Sequence, residues 1–164
     1  MQLIDPNGLE KGSLAEAEFK KWLEKNNLPY LYIKQDKETF SSIFRNNMKR
    51  PDFIILISNL GLIMVDVKHR DINKNQQTFP LDTLETEKFS VLQRNFNIPV
   101  WYAISNDNVG YRTWFWIPIS KVLETGVKTF KSTKSHQGFF SISIDQFTQI
   151  SYNDSLERLF SGNL

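Results

Sequence analysis

The chain has 164 residues, 40% of them apolar and 23% charged, with a formal net charge of +2. That is the composition of one globular domain, large enough to bury a core of helices packed on a sheet. With no cysteine and only two histidines, it excludes a disulfide framework, a thiolate zinc site, a thiol nucleophile and a multi-histidine metal centre.

No apolar run reaches the ~18 residues of a membrane span, and no signal-peptide pattern opens the sequence, so no membrane partner and a cytoplasmic location are expected. The net charge does not by itself point to nucleic acid. The basic residues are clustered, however: Arg45, Lys49 and Arg50, then Lys68, His69, Arg70 and Lys74, then Lys128, Lys131 and Lys134. On charge alone a solvated face accounts for such clusters as well as a phosphate-binding surface does.

In chain order, Leu14, Ala15, Phe19, Trp22 and Leu23 form one stripe at helical spacing, with Ser13 as N-cap and Asn26-Asn27 and Pro29 as the stop. Leu31–Ile33 reads as a short strand. Residues 35–49 read as a loop with a helical turn near Phe40–Phe44. Two apolar runs, Ile54–Ile57 and Leu62–Val65, flank a Ser58–Gly61 break and read as antiparallel strands buried on both faces.

A polar loop is expected over residues 71–80. Asp82-Thr83-Leu84-Glu85 then has the form of a capping box. It opens a helix whose apolar face is Leu84, Phe89, Leu92 and Phe96, stopped by Asn97-Ile98-Pro99. Val100–Ile104 is a strand. The helix before it makes a β-α-β crossover, so this strand should run parallel to the one carrying Asp66.

Asn106 to Gly110 turn the chain into an aromatic-rich strand, Tyr111–Ile117. A short helix over 118–125, a basic loop to Gly138, a strand over 139–144 and a terminal helix over Asp154–Phe160 complete the reading. The expectation is a single α/β domain over 1–164. An αβββαβ core (12–105) builds a mixed central sheet flanked by helices, and a β/α extension (106–164) follows.

The stretch that carries chemistry runs from Arg50-Pro51-Asp52-Phe53 to Val65-Asp66-Val67-Lys68. Asp66 and Lys68 lie two residues apart on a strand, so their side chains share a face. For Asp52 to join them, paired residue numbers must sum to an even value, which demands a hairpin loop of odd length. A three-residue loop, Asn59-Leu60-Gly61, would pair Ser58 with Leu62 and Asp52 with Lys68. Two carboxylates and an ammonium then converge at one end of an apolar ribbon, where desolvation is costly unless they serve one another or a metal.

Pro51-Asp52, thirteen intervening residues and Asp66-Val67-Lys68, together with this element order, resemble the PD-(D/E)XK nuclease superfamily of restriction-endonuclease-like fold. Gly12-Ser13-Leu14-Ala15-Glu16, followed by Phe19, Trp22 and Leu23, resembles the acidic helix of small members such as the archaeal Holliday-junction resolvases. The resemblance covers about residues 12–105 and implies a metal-dependent nuclease, most naturally an endonuclease on DNA, with branched DNA or RNA and a homodimer left open.

It further implies Mg²⁺ or Mn²⁺ held by Asp52, Asp66 and the backbone carbonyl of Val67. Glu16 would bind directly or through water, and Lys68 would orient the water or offset transition-state charge. Glu18 rivals Glu16, since it lies nearer the apolar centre of the helical wheel. Lys49, Arg50, Arg70, Lys131 and Lys134 are candidate phosphate contacts. His69 alternates onto the face opposite Lys68, and Trp114 and Trp116 read as packing. A nucleic-acid-binding or assembly module that keeps the fold without catalysis is the competing reading.

Overall fold

The computed structural model describes residues 6–132 and 135–161, and of residues 6, 130–132 and 135–137 it gives the backbone alone. The first helix, α1 (Pro6–Lys25), opens on a proline, whose fixed φ and missing N–H suit the first helical position. It therefore begins before Ser13, which lies inside the helix rather than at its cap. Residues 7–11 are exposed, so no apolar stripe marks these first turns. Ala15, Phe19, Trp22 and Leu23 are wholly buried, whereas Leu14 is 44% exposed and leaves the stripe. Asn27, at φ 52°, ends the helix in the left-handed conformation.

Strands β1 (Tyr30–Tyr32), β2 (Phe53–Ile57) and β3 (Gly61–His69) come next. They are followed by β4 (Thr78–Asp82), helix α2 (Thr83–Phe96), β5 (Val100–Ser105) and β6 (Thr113–Pro118). Helix α3 (Ile119–Thr125) leads into β7 (Val127–Ser132), β8 (Ser135–Ser143) and β9 (Thr148–Ser151).

The main sheet has six strands in the order β1-β2-β3-β5-β6-β9. Only the β3–β5 pair is parallel, as the crossover through α2 requires. A second sheet of three strands, ordered β4-β8-β7, covers part of one face. Among the described residues no helix is long and apolar enough to cross a membrane.

Alternation along the strands sorts side chains between two cores. Val65, Val67, Trp101, Ala103, Trp114 and Trp116 face α1, and Met64, Tyr102, Ile104, Phe115 and Ile117 face α2, α3 and the second sheet. Trp114 and Trp116 are fully buried beside Phe19, so both are packing residues. At its turn end the β2–β3 hairpin is open on one face, with Leu56 and Leu62 each 46% exposed, so it is not buried on both faces throughout.

Three segments depart from expectation. The segment 71–80 ends in strand, because β4 pairs with β8, and the basic stretch after Gly126 is the β7–β8 hairpin rather than a loop. Pro80 within β4 is tolerated because β4 is an edge strand, where a missing donor can face away from the partner. The terminal helix is reduced to a 3-10 turn, Leu156–Leu159. The turns near Phe40 lie on either side of it, at Lys37–Thr39 and over residues 42–47.

The hairpin register also differs. Phe53 pairs with Val65 and Ile57 with Gly61, so the loop is Ser58-Asn59-Leu60. Asn59 (φ 66°) takes the left-handed turn position, and Gly61 (φ 110°) begins β3 instead of closing the loop. Paired numbers still sum to an even value. The ladder stops at Phe53: the Asp52 N–H turns to the same Val65 that pairs with Phe53, so Asp52 pairs with neither Lys68 nor Asp66.

Candidate active site

β3 runs four residues past its last pair with β2, and this overhang creates the site. Beyond Val65 there is no β2 backbone to accept the next N–H. The Asp52 side chain takes that place: its Oδ2 accepts from the Val67 N–H at 2.8 Å. The Asp52 backbone is fixed on both sides, its N–H donating to the Val65 carbonyl (3.0 Å) and its carbonyl accepting from Ile33 N–H (2.9 Å). Three hydrogen bonds thus hold the carboxylate at the edge of β3.

Asp66, 1% exposed, points toward the α2 side, and Lys68 Nζ stands 2.8 Å from its Oδ2. That oxygen accepts no well-directed hydrogen bond, so it retains lone pairs for a further cation. Lys68 also donates to Glu85, which in turn receives Lys49, itself 3.9 Å from Asp66. Glu85 is placed by its helix: Asp82 caps α2 by accepting from the Glu85 N–H at 2.7 Å. One carboxylate thereby bridges two ammonium groups next to Asp66.

Glu85 was readable in the sequence only as the last residue of a capping box, three after Asp82. It does not reach back to the cap. An acid in the first turn of the crossover helix, beside the C-terminal end of a charged strand, was the signal available.

Glu16 approaches from α1, lines the same cleft as Asp52, Asp66, Val67 and Lys68, and accepts from Tyr32 OH at 2.7 Å. Glu18 is bound to Lys21 at 2.7 Å instead. The cleft encloses about 440 Å³. Arg70 and Lys49 also line it, with Arg70 donating to the His69 carbonyl at 2.8 Å. His69 Nδ1 meets Tyr111 OH at 2.8 Å.

Arg50 is drawn off into structure. It donates to the carbonyls of Lys34, Gln35 and Asp36 and to Thr39, holding the preceding loop in shape. Lys134 lies outside the described residues, as does the side chain of Lys131.

The electrostatics follow from burial. The Asp52 carboxyl is pushed up to about 8 by burial first, then by the charges of Asp66 and Glu16, against the pull of Val67 N–H and Lys68. Burial likewise raises Asp66, opposed by Lys68 and Lys49. For Glu85 burial is outweighed by Lys68 and Lys49, which hold it down at about 2. Burial would lower Lys68, but Asp66 and Glu85 keep it above its ordinary value, hence firmly charged.

Among the described residues Asp52 has no ion-pair partner, because Lys49 and Lys68 serve Asp66 and Glu85. Among the described residues no three His, Asp or Glu side chains form a ready-made metal cage. Two buried carboxylates lining one cleft suit Mg²⁺, which takes one or two protein carboxylates and completes its shell with waters and substrate phosphate.

Neither a family model nor a curated protein matches the sequence. Solved structures match the fold. Hjc of Archaeoglobus fulgidus, a Holliday junction resolvase from an archaeal hyperthermophile, superposes with a TM-score of 0.54 at 13% identity, over 90% of this chain and 93% of that one. D212, a nuclease from a fusselovirus, superposes with a TM-score of 0.52 at 10% identity, over 90% of each chain. The fold is resolvase-like and restriction-endonuclease-like, with a mixed sheet between helices.

Proposed function

We propose that the chain is a metal-dependent nuclease that hydrolyses phosphodiester bonds in DNA, as an endonuclease. The observation that carries this reading is the convergence of Asp52, Asp66, Lys68 and Glu16 on one open cleft of a fold shared with nucleases. Mg²⁺ or Mn²⁺ would be held by Asp52, Asp66 and the Val67 carbonyl, with Glu16 bound directly or through water. Such an ion acidifies a water and offsets charge on the phosphoryl group.

The protein's own groups have separable roles. Asp52 is oriented by Val67 N–H and cannot turn away without leaving that donor buried and unpaired. Lys68 is held charged by Asp66 and Glu85, so it acts as a fixed cation facing the scissile phosphate rather than as a proton acceptor. Glu85 and Lys49 position Lys68 from α2 and from the loop before β2. Arg70, at the mouth of the cleft, is placed to meet a neighbouring phosphate.

The test is incubation of the purified chain with supercoiled, linear, single-stranded and branched DNA, each with Mg²⁺, Mn²⁺ or EDTA. Nicking of the supercoiled plasmid that requires the metal and disappears in Asp66→Asn is the expected result. A chain that binds DNA yet cleaves none of these, nor RNA, with Asp66→Asn indistinguishable from wild type, would replace the nuclease by a binding module.

A further inference from the structure

The loop between β1 and β2 builds a second cleft beside the carboxylate site, with a volume of about 390 Å³, in the range of small-ligand pockets. Three apolar side chains among its charged and polar lining form a floor: Phe40, Met48 and Leu84, the last 61% exposed at the start of α2. The Arg50 guanidinium lies 5.2 Å from the centre of the Phe40 ring, and Arg45 donates to the Phe40 and Lys37 carbonyls. These bonds hold the loop in place, so the cleft is formed before any ligand arrives.

Its rim is cationic. Lys37 and Lys88 have no acidic partner within ion-pair distance among the described residues. The two acids in the lining are already engaged, Asp82 with the Glu85 N–H and Glu85 with two lysines. Gln35 and Lys49 line this cleft and the carboxylate cleft alike, so the two are continuous.

An apolar floor with unpaired cations at its edge matches a nucleobase and the phosphate attached to it. A phosphodiester backbone alone would have no use for the floor. A base inside a continuous duplex is stacked and paired, and would have to be extruded at a cost. Resting on the nucleic-acid reading of the neighbouring site, we infer that this cleft takes an unpaired nucleotide of the strand crossing the carboxylates. The chain thereby prefers DNA with an unpaired segment over continuous duplex.

Fluorescence anisotropy in EDTA, where no cleavage occurs, tests this with a labelled single strand, the same sequence as blunt duplex, and that duplex with a central gap. Wild type should bind the single strand and the gapped duplex about 10-fold more tightly than the blunt duplex, as stacking of one base on a protein surface provides. Leu84→Glu places an acid in the first turn of α2, where the helix dipole favours it, so the fold should survive. It should abolish the preference while leaving blunt-duplex affinity within about twofold, since only the base-binding floor is altered.

Lys88→Gln offers a second readout: the slope of log affinity against log salt should fall by about 0.7 for the single strand and not at all for the duplex. Equal or tighter binding of blunt duplex by wild type would overturn the inference. So would an equal loss on all probes in a Leu84→Glu protein that melts at the wild-type temperature. Should that variant melt lower, an unchanged single-strand slope in Lys88→Gln overturns it instead. A chain that prefers unpaired DNA but never cleaves keeps this inference and loses the nuclease reading. One that cleaves without preference does the reverse.

Discussion

The two faces of β3 carry opposite burdens. Toward α1, Val65 and Val67 pack with Phe19, Phe53 and Trp114 in an apolar core, at whose rim His69 meets the Tyr111 hydroxyl. Toward α2, one residue along in each case, Asp66 and Lys68 sit with Glu85 in a buried charge network. Apolar burial stabilises the first face, whereas on the second each charge is tolerated because another meets it. Strand alternation thus lets a single nine-residue segment anchor the fold and bear the chemistry without mixing the two.

The sharpest separation of these burdens is Asp66→Asn. It should lower metal-dependent cleavage by about a thousandfold, the upper end of what one charge-stabilising contact contributes to a transition state. The melting temperature should hold, because Lys68 keeps Glu85, and DNA binding should persist or tighten in a filter-binding assay. On the opposite face Phe19→Ala should cost about 3–5 kcal/mol of stability through the cavity it leaves. Urea denaturation would show that loss, while metal affinity of the folded fraction stays unchanged. If Asp66→Asn unfolded the chain and Phe19→Ala left it stable, the division between the faces would be wrong.

Lys68→Ala comes next, with an expected loss of about a hundredfold in cleavage. Metal titration should still saturate, unlike that of Asp66→Asn, because the carboxylates remain. The most gradual effect is a slope. The Asp52 carboxyl holds its proton in the folded chain up to about 8, against 3.8 for the free group. Between those values the folded chain binds more protons than the unfolded one, so in EDTA stability falls as pH rises through the window.

Asp52→Asn should flatten that dependence and stabilise the chain at pH near 8. Glu85 contributes in the other direction, from about 2 folded to 4.5 free, so its stabilisation is present above about 4.5 and is lost as pH falls through that range. Melting curves across pH in EDTA check both signs.

The parts of this molecule written in local pattern were legible in its sequence. Strand alternation placed Asp66 and Lys68 on one face, and the Asp82 cap and the parallel β3–β5 pair followed from turn and crossover rules. Asp52, by contrast, reaches the site through its bond to the Val67 N–H and not through the pairing parity. The register slipped by two because Asn59 competes with Gly61 for the left-handed turn position, and both residue types accept it.

What depends on contacts distant in the chain was not legible. Glu85 meets Lys49 across 36 residues and Lys68 across 17, and Arg50 spends its donors on carbonyls 14 to 16 residues away. The second sheet was hidden by polar composition and by a proline that only an edge strand allows.

The bond from Val67 N–H to Asp52 Oδ2 also makes the site observable without any substrate. A backbone amide that reports on a carboxylate is a built-in spectroscopic probe. Protonating Asp52, or drawing its oxygens toward a cation, changes the acceptor on that one N–H. The Val67 amide resonance and its hydrogen-exchange rate should therefore move with metal titration, while Val65, whose neighbours are backbone and apolar side chains, stays still. One peak in an ¹⁵N spectrum would then read the occupancy of the centre directly, in a protein that has cut nothing.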